Sequence, residues 1–522
     1  MPTVQSSIRS AQSPAQAPVE APLATYNQSS TATLSKNGSI RRASLILSVA
    51  LIGTAGFALQ GCASESSVQS SADSQPVTSP ASPDQTYQQV ESDDSVAVET
   101  GISEERRQQH IESFEYVWNS VKEKHWDPDL NGVDWDQARA DLLPVVENAS
   151  NDNEARGAMN QLLERLEQSH FGIIPGSSYD DLEEISEVQE ASSAADNEDA
   201  GPGWAGMNLR VIDDRFLVTH VLDGSPAQAA GVQTGWIVNS MRGGDMNRII
   251  EVTKDIGGVN RPETQAGLIA YGRLQGNSGD VLDMNFSDQN NNPQDVSITL
   301  TDAPGVIAGV GELPPRPIEV ETATLDDGTG YFRLNMFMSP GTVLPEYQKF
   351  VREHMDAPGI VIDMRGNFGG IILMAPGMIN WLISEKDLTL GTMKMRDPVR
   401  GPFNIPLMLN PRAKNFSGKV AVLIDEMSIS NAEILAAGLK DIGRGRLFGT
   451  RTAGLVLPST VERLPNGDGF QYAFASYTTG GGYSLEGQGA IPDVEIQYTR
   501  EGLLNGQDEV LEAAQAWIHE NR

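Results

Sequence analysis

The sequence predicts a multidomain α/β protein, and three observations carry that expectation. A chain of 522 residues exceeds what one hydrophobic core organises, so about three domains are expected. Its second half alternates short apolar runs with helical periodicity, as in the run 420–424 followed by Ile434, Leu435 and Leu439 at helical spacing. Its first half divides into a helical stretch and a stretch of short alternating strands, with compositionally biased segments before and between them.

Residues 1–61 read as a removable secretory signal. Lys36, Arg41 and Arg42 precede an apolar stretch over 43–59 that is short for a spanning helix. The stretch ends in Leu59-Gln60-Gly61-Cys62, which resembles a bacterial lipobox with Gln60 in place of the usual small residue. That resemblance implies a lipid on Cys62 as membrane anchor. With Ala63 rather than aspartate behind it, it also implies a site on the outer membrane facing the periplasm. Cys62 is the one cysteine of the chain, so no intramolecular disulfide is possible. An uncleaved anchor helix with an incidental cysteine is the alternative. Residues 62–102, rich in Ser, Gln, Asp and Pro, read as a disordered tether.

Residues 103–178 read as a helical domain. Ile111, Phe114, Trp118 and Val121 mark one helix face, 135–146 a second helix, and Met159, Leu162, Leu163 and Leu166 a third. The domain ends in Gln168-Ser169-His170-Phe171-Gly172, and 179–202 is an acidic linker. Over 203–303, strands such as 216–221 are separated by glycine turns, with a helix near 264–271. The run Gly224-Ser225-Pro226-Ala227-Gln228-Ala229-Ala230-Gly231-Val232, followed by Gly235-Trp236-Ile237, resembles a PDZ domain. Such a domain binds a peptide end by strand addition and takes its carboxylate on loop amides. The resemblance assigns that loop to Trp204-Ala205-Gly206-Met207, with Gly206 and Met207 as contacts.

Residues 304–522 carry the α/β pattern: strands over 330–336, 359–363 and 470–477, and helices over 344–354, 371–383 and 510–518. The net charge of −33, from 37 basic and 70 acidic residues, argues against nucleic acid or anionic lipid as a partner of the folded body.

The strand over 420–424 leads directly into a Ser-x-x-Glu helix start at Ser430 and Glu433. A hydroxyl there lies beside free amides and the positive end of the helix dipole, which stabilise an oxyanion. The same two residues also read as a structural capping box. Ile362-Asp363-Met364-Arg365-Gly366-Asn367-Phe368-Gly369-Gly370 is a strand end and a glycine turn, where bare backbone can approach a ligand. That turn has neither phosphate-loop pattern, and the chain has no His-Glu-x-x-His and one cysteine, so no organic cofactor or metal is implied.

Together these stretches resemble the tail-specific, or C-terminal processing, serine peptidases and their tricorn-core relatives, over about residues 105–500. The segment Gly487-Gln488-Gly489-Ala490-Ile491-Pro492-Asp493 belongs to the same resemblance. It implies a crotonase/Clp-protease-like peptidase core with a small N-terminal helical domain and an inserted PDZ domain. Within that core, Ser430 is the nucleophile and the amides of Gly370 and Asn431 face the oxyanion. In one branch of the family the base is a lysine in a Thr-x-Gly-Lys stretch. Here the stretch reads Thr452-Ala453-Gly454-Leu455, and a leucine cannot accept a proton. The tricorn-like branch implies instead His170 as base, oriented by Glu486, with Ser169 holding the carboxylate or the ring. An imidazole with a pKa near ~6.5 can take a seryl proton at neutral pH. The implied function is a periplasm-facing lipoprotein endopeptidase that hydrolyses unstructured polypeptide through an acyl-enzyme, with the PDZ domain assisting recognition. The alternative is a non-catalytic binding or adaptor lipoprotein on an inactive peptidase-like fold.

Overall fold

The computed structural model describes residues 102–176, 202–254, 261–309, 313 and 315–520. The signal segment, Cys62, the tether and most of the acidic linker lie outside the described residues.

Helices Glu104–Lys124, Trp135–Glu147 and Asp152–Glu164 pack around Phe114, Val117, Leu142, Met159 and Leu162. Each starts at a side chain that accepts a first-turn amide, from Ser103, Asp134 and Asn151 in turn. The chain then returns as the strand Gly172–Ile174, which pairs antiparallel with Gly469–Ala473 in the register Gly172 to Gln471 and Ile174 to Gly469. Phe470 and Tyr472 of that partner strand belong to the helical core. The turn before it also enters the helical domain. Asp468 is fully buried and accepts from Arg156 Nε at 2.9 Å and Gly176 N–H at 2.7 Å.

The next domain is an antiparallel sheet in the order Met207–Ile212, Arg215–Val221, Ile237–Met241, Val281–Ser287, Pro293–Thr299, closed over Phe216, Val218, Met241 and Phe286. The helix Pro262–Leu274 packs on Met207–Ile212.

The half over 304–522 is built on a six-stranded sheet in the order Val320–Thr324, Gly330–Leu334, Gly359–Asp363, Lys419–Ile424, Arg446–Gly449, Val494–Glu495. Its first pair is antiparallel and the other steps are parallel. Period-two alternation explains why the two central strands read as unbroken apolar runs. Ile360, Ile362, Val420 and Val422 face the large core with helices Pro340–Glu353, Met374–Ile379 and Asn431–Asp441, while Val361, Ala421 and Leu423 face helix Glu509–His519.

Two expected elements differ from the structure. The helix expected over 371–383 is confined to Met374–Ile379, because the carbonyls of Asn380 and Trp381 accept from Arg412 and Phe416 N–H instead of continuing a helix. The strand expected over 470–477 is two strands, Gly469–Ala473 and Ala475–Thr479. They break at Phe474, whose N–H turns to Pro458 O at 3.0 Å. The second half pairs with Leu388–Asp397, which with Gly401–Leu409 forms a long hairpin.

Candidate active site

Ser430 sits where the loop after Lys419–Ile424 enters the helix Asn431–Asp441, 2% exposed, at φ 56° and ψ −112°. That backbone is strained for a residue with a side chain, and such strain concentrates at functional sites. The loop is fastened to the glycine turn. Asp425 Oδ1 accepts from Gly366 N–H at 2.9 Å, Ser428 Oγ donates to Met364 O at 2.7 Å, and Ile429 N–H donates to Asn367 O at 2.9 Å. On the other side of the turn, Phe337 N–H bonds Gly369 O and Ile371 N–H bonds Phe337 O. Gly370 between them stands at φ 126°, and a Cβ there would lie 2.3 Å from Phe337 O, so only glycine fits. Among the described residues the N–H groups of Gly370 and Asn431 have no acceptor. Asp363 and Arg365, conspicuous in the sequence, serve the scaffold: Arg365 bonds Asp363 and reaches both carboxylate oxygens of Asp508 at 2.9 Å.

His170 follows the helical domain at φ 62°, also in the left-handed region. Ser169 Oγ lies 2.7 Å from His170 Nδ1 and donates to Glu486 Oε2 at 2.9 Å, while Ser169 N–H donates to Glu486 Oε1 at 2.8 Å. A hydroxyl carries one proton, and here it goes to the carboxylate. His170 must therefore carry its proton on Nδ1, which leaves Nε2 as a bare acceptor. Nε2 is buried and has no hydrogen-bond partner among the described residues, so the bond to Ser430 Oγ is not made in this structure. Glu486 reaches the ring only through Ser169, which bonds both the carboxylate and the ring. Burial pushes the imidazole down to about 3, so the ring stays neutral. Burial pushes the Glu486 carboxyl up, and three donors, from Val456 N–H and Ser169 N–H and O–H, oppose it.

The stretch 452–456 connects the two halves. Glu433, fully buried, is more than a cap. Its Oε2 accepts from Ser430 N–H at 2.9 Å and Leu455 N–H at 3.1 Å, and its Oε1 from Thr452 Oγ1 at 2.6 Å and Gly454 N–H at 2.7 Å. The next amide, Val456 N–H, donates to Glu486 Oε2 at 2.8 Å. Consecutive amides thus hold the carboxylate on the Ser430 side and the carboxylate on the His170 side. Burial pushes Glu433 up to about 7. The Ser-x-x-Glu spacing shows the Glu433 bond to Ser430, but no local pattern shows the three from 452–455.

Gly206 and Met207 line a cavity that Glu319, Arg333 and Phe368 also line. Gly206 stands at φ 70° against Ser225, and the amides of Ala205 and Gly206 have no acceptor among the described residues. The same domain grips the loop before Ser430 and the glycine turn itself. Arg210 Nε bonds Asp425 Oδ2 at 2.6 Å, Thr264 Oγ1 bonds Glu426 O at 2.9 Å, and the Tyr271 ring lies 4.3 Å from that of Phe368. Among the described residues no three His, Cys, Asp or Glu side chains converge as a metal cage requires.

Known proteins resemble the chain in sequence and fold. Residues 328–496 match the sequence model of peptidase family S41, and residues 106–164 that of the tricorn protease C1 domain. The chain is 25% identical over 388 residues to carboxyl-terminal-processing peptidase 3, chloroplastic, of Arabidopsis thaliana, covering 73% of this chain and 67% of that one. It is 23% identical over 425 residues to a tricorn protease homolog of Streptomyces coelicolor, covering 77% of this chain and 32% of that much longer one. The fold is shared with mature CPAF complexed with lactacystin, at a TM-score of 0.55 and 13% identity over 80% of this chain and 100% of that one. The chain has the mixed α/β fold of these peptidases, and its catalytic class is serine-type peptidase.

Proposed function

We propose that the chain is a periplasm-facing, lipid-anchored serine endopeptidase of the Ser-His-Glu branch. Ser430 is its nucleophile, His170 its general base, Glu486 and Ser169 the groups that orient and charge-stabilise the ring, and the Gly370 and Asn431 amides its oxyanion donors. The observation that carries this reading is the bonded line from Glu486 through Ser169 to His170, which leaves a bare, buried, unpartnered Nε2 for a seryl proton. In the first step Ser430 Oγ attacks a peptide carbonyl while its proton passes to His170 Nε2. The negative charge of the tetrahedral intermediate falls on the oxygen facing the two free amides. Nε2 then returns the proton to the leaving amine, and water, deprotonated by the same nitrogen, hydrolyses the acyl-enzyme. The missing Nε2 to Oγ bond forms when substrate fills the site, since such bonds are often long in the empty enzyme.

The domain over 203–303 acts as a PDZ domain inserted in a crotonase-like peptidase chain. Its loop amides at Ala205 and Gly206 take the carboxylate of an unstructured polypeptide's C-terminus, and Gly206 and Met207 form the wall of that site. Cys62, outside the described residues, carries the lipid. The test is reaction of the purified protein with a serine-reactive fluorophosphonate, together with casein cleavage, for wild type, Ser430→Ala and His170→Ala. Wild type is labelled and cleaves, and both variants lose both. Labelling that survives Ser430→Ala refutes the nucleophile. An unlabelled wild type supports instead a binding lipoprotein on an inactive fold.

A further inference from the structure

Asn431 combines three features that the catalytic assignment of its main chain does not use. Its side chain is fully buried. Its Nδ2 donates to Ile371 O at 2.8 Å. Its Oδ1 is buried with no partner. A buried amide satisfied on one end only is a poor space-filler, because an apolar side chain of similar length fills the same volume without an orphan carbonyl. What asparagine adds at this position is the donor toward Ile371.

Ile371 is the residue after Gly370, and its own N–H bonds Phe337 O at 2.7 Å. Ile371 is therefore held at both ends, its N–H by the Phe337 backbone and its carbonyl by the Asn431 side chain. We infer that Asn431 is a positioning residue for the oxyanion pocket: its main chain supplies one donor, and its side chain fixes the turn that supplies the other. The spacing of the two amides is thereby set by a single residue. Ile371 O also accepts from Met374 N–H at 2.9 Å, so removing the Asn431 side chain leaves no carbonyl unpaired. The clamp costs the fold little to lose, which separates its effect on catalysis from an effect on stability. This inference rests on the peptidase reading and concerns how that site reaches its working geometry.

The test uses the full-length chain and two variants, Asn431→Leu and Asn431→Ser, both of which keep the main-chain donor. Loosening an oxyanion donor lowers kcat by ~10–100-fold while KM moves by no more than about twofold. A peptide boronate, whose tetrahedral serine adduct places an oxygen in the pocket, loses affinity by the same factor as kcat. Asn431→Leu melts no lower than wild type, since the orphan carbonyl is gone. The inference is overturned if either folded variant keeps kcat within about threefold of wild type, or if kcat falls while boronate affinity does not change. It is equally overturned if the loss appears in KM alone. An inactive wild type sinks the peptidase reading and this inference together, whereas an active wild type with indifferent variants sinks only this one.

Discussion

Replacing Ser169 and Glu486 singly and together tests the direction of the protons in the active site. In the wild type the Ser169 hydroxyl is committed to Glu486 at 2.9 Å, so His170 Nδ1, 2.7 Å away, must donate to Ser169. Ser169→Ala removes that link, but Glu486 stays in place on the N–H groups of residue 169 and Val456. The imidazolium then loses one charge-assisted bond in the transition state against one neutral bond in the ground state. The difference is about 1–2 kcal/mol, or a ~5- to 30-fold fall in kcat. Glu486→Ala is worse for a specific reason. It removes the carboxylate and also frees the Ser169 hydroxyl to donate to His170 Nδ1, which drives the ring proton onto Nε2, the nitrogen needed as base. The combined loss is about 2–4 kcal/mol, or roughly 30- to 1,000-fold. Deleting Ser169 in that background removes the misdirected donor, so the double variant is no slower than Glu486→Ala and recovers part of its loss. The assay is a double-mutant cycle on kcat for casein hydrolysis and on the second-order rate of fluorophosphonate labelling. Losses that simply multiply would refute the assigned tautomer.

Four further outcomes follow from the same geometry. Ser430→Gly and Ser430→Ala are both inactive and unlabelled, but the glycine variant is more stable by about 1 kcal/mol in urea denaturation, because φ 56°, ψ −112° strains every residue with a Cβ; equal stabilities would show that the strain is absent. Burial holds His170 neutral, with its titration pushed down to about 3, so kcat/KM shows no acid limb near the ordinary histidine value of ~6.5. In that window the unfolded chain binds more protons than the folded one, so stability falls as pH drops from 6.5 toward 3, and His170→Gln flattens that fall in urea midpoints measured at pH 4 and pH 7. Leu455→Lys does not raise casein cleavage, because the base is supplied by His170 and the new ammonium lands on a 7% exposed position beside buried Glu433; a rate above wild type would contradict the assignment of the base.

The sequence made the centre of the fold legible and left its margins obscure. Gly359–Asp363 and Lys419–Ile424 are central strands of a sheet covered on both faces, so burial leaves an unbroken apolar run in each. Gly401–Leu409 was not legible because it is a sheet edge, with Phe403 and Met408 exposed and Pro402 and Pro406 breaking the alternation. Phe474 has no local mark of the point where one apparent strand changes sheets; its N–H is drawn off by Pro458, which lies in a different stretch of chain. In the site, main-chain motifs were readable from local pattern, while the partnership of Ser169, His170 and Glu486 came only from the family resemblance. Ser430 and Gly370 show as a helix start and a glycine turn, whereas the place of Ser169 between ring and carboxylate is set by tertiary contact.

The position of the base changes what domain docking means for this protein. In the alternative arrangement the proton acceptor would lie on the stretch 452–456, in the same domain as Ser430. Here a leucine occupies that place, but the stretch keeps its other task, since the amides of Leu455 and Val456 register Glu433 and Glu486 against each other. The proposed base comes from the helical domain, whose place depends on the pairing of Gly172–Ile174 with Gly469–Ala473 and on the bonds of Asp468 to Arg156 and Gly176. Glu486 reports that docking directly. Two of its three donors come from Ser169, so withdrawal of the helical domain strips a buried carboxylate of most of its partners and leaves it uncompensated. That penalty opposes separation, and the carboxylate that orients the ring therefore also holds in place the domain that carries it.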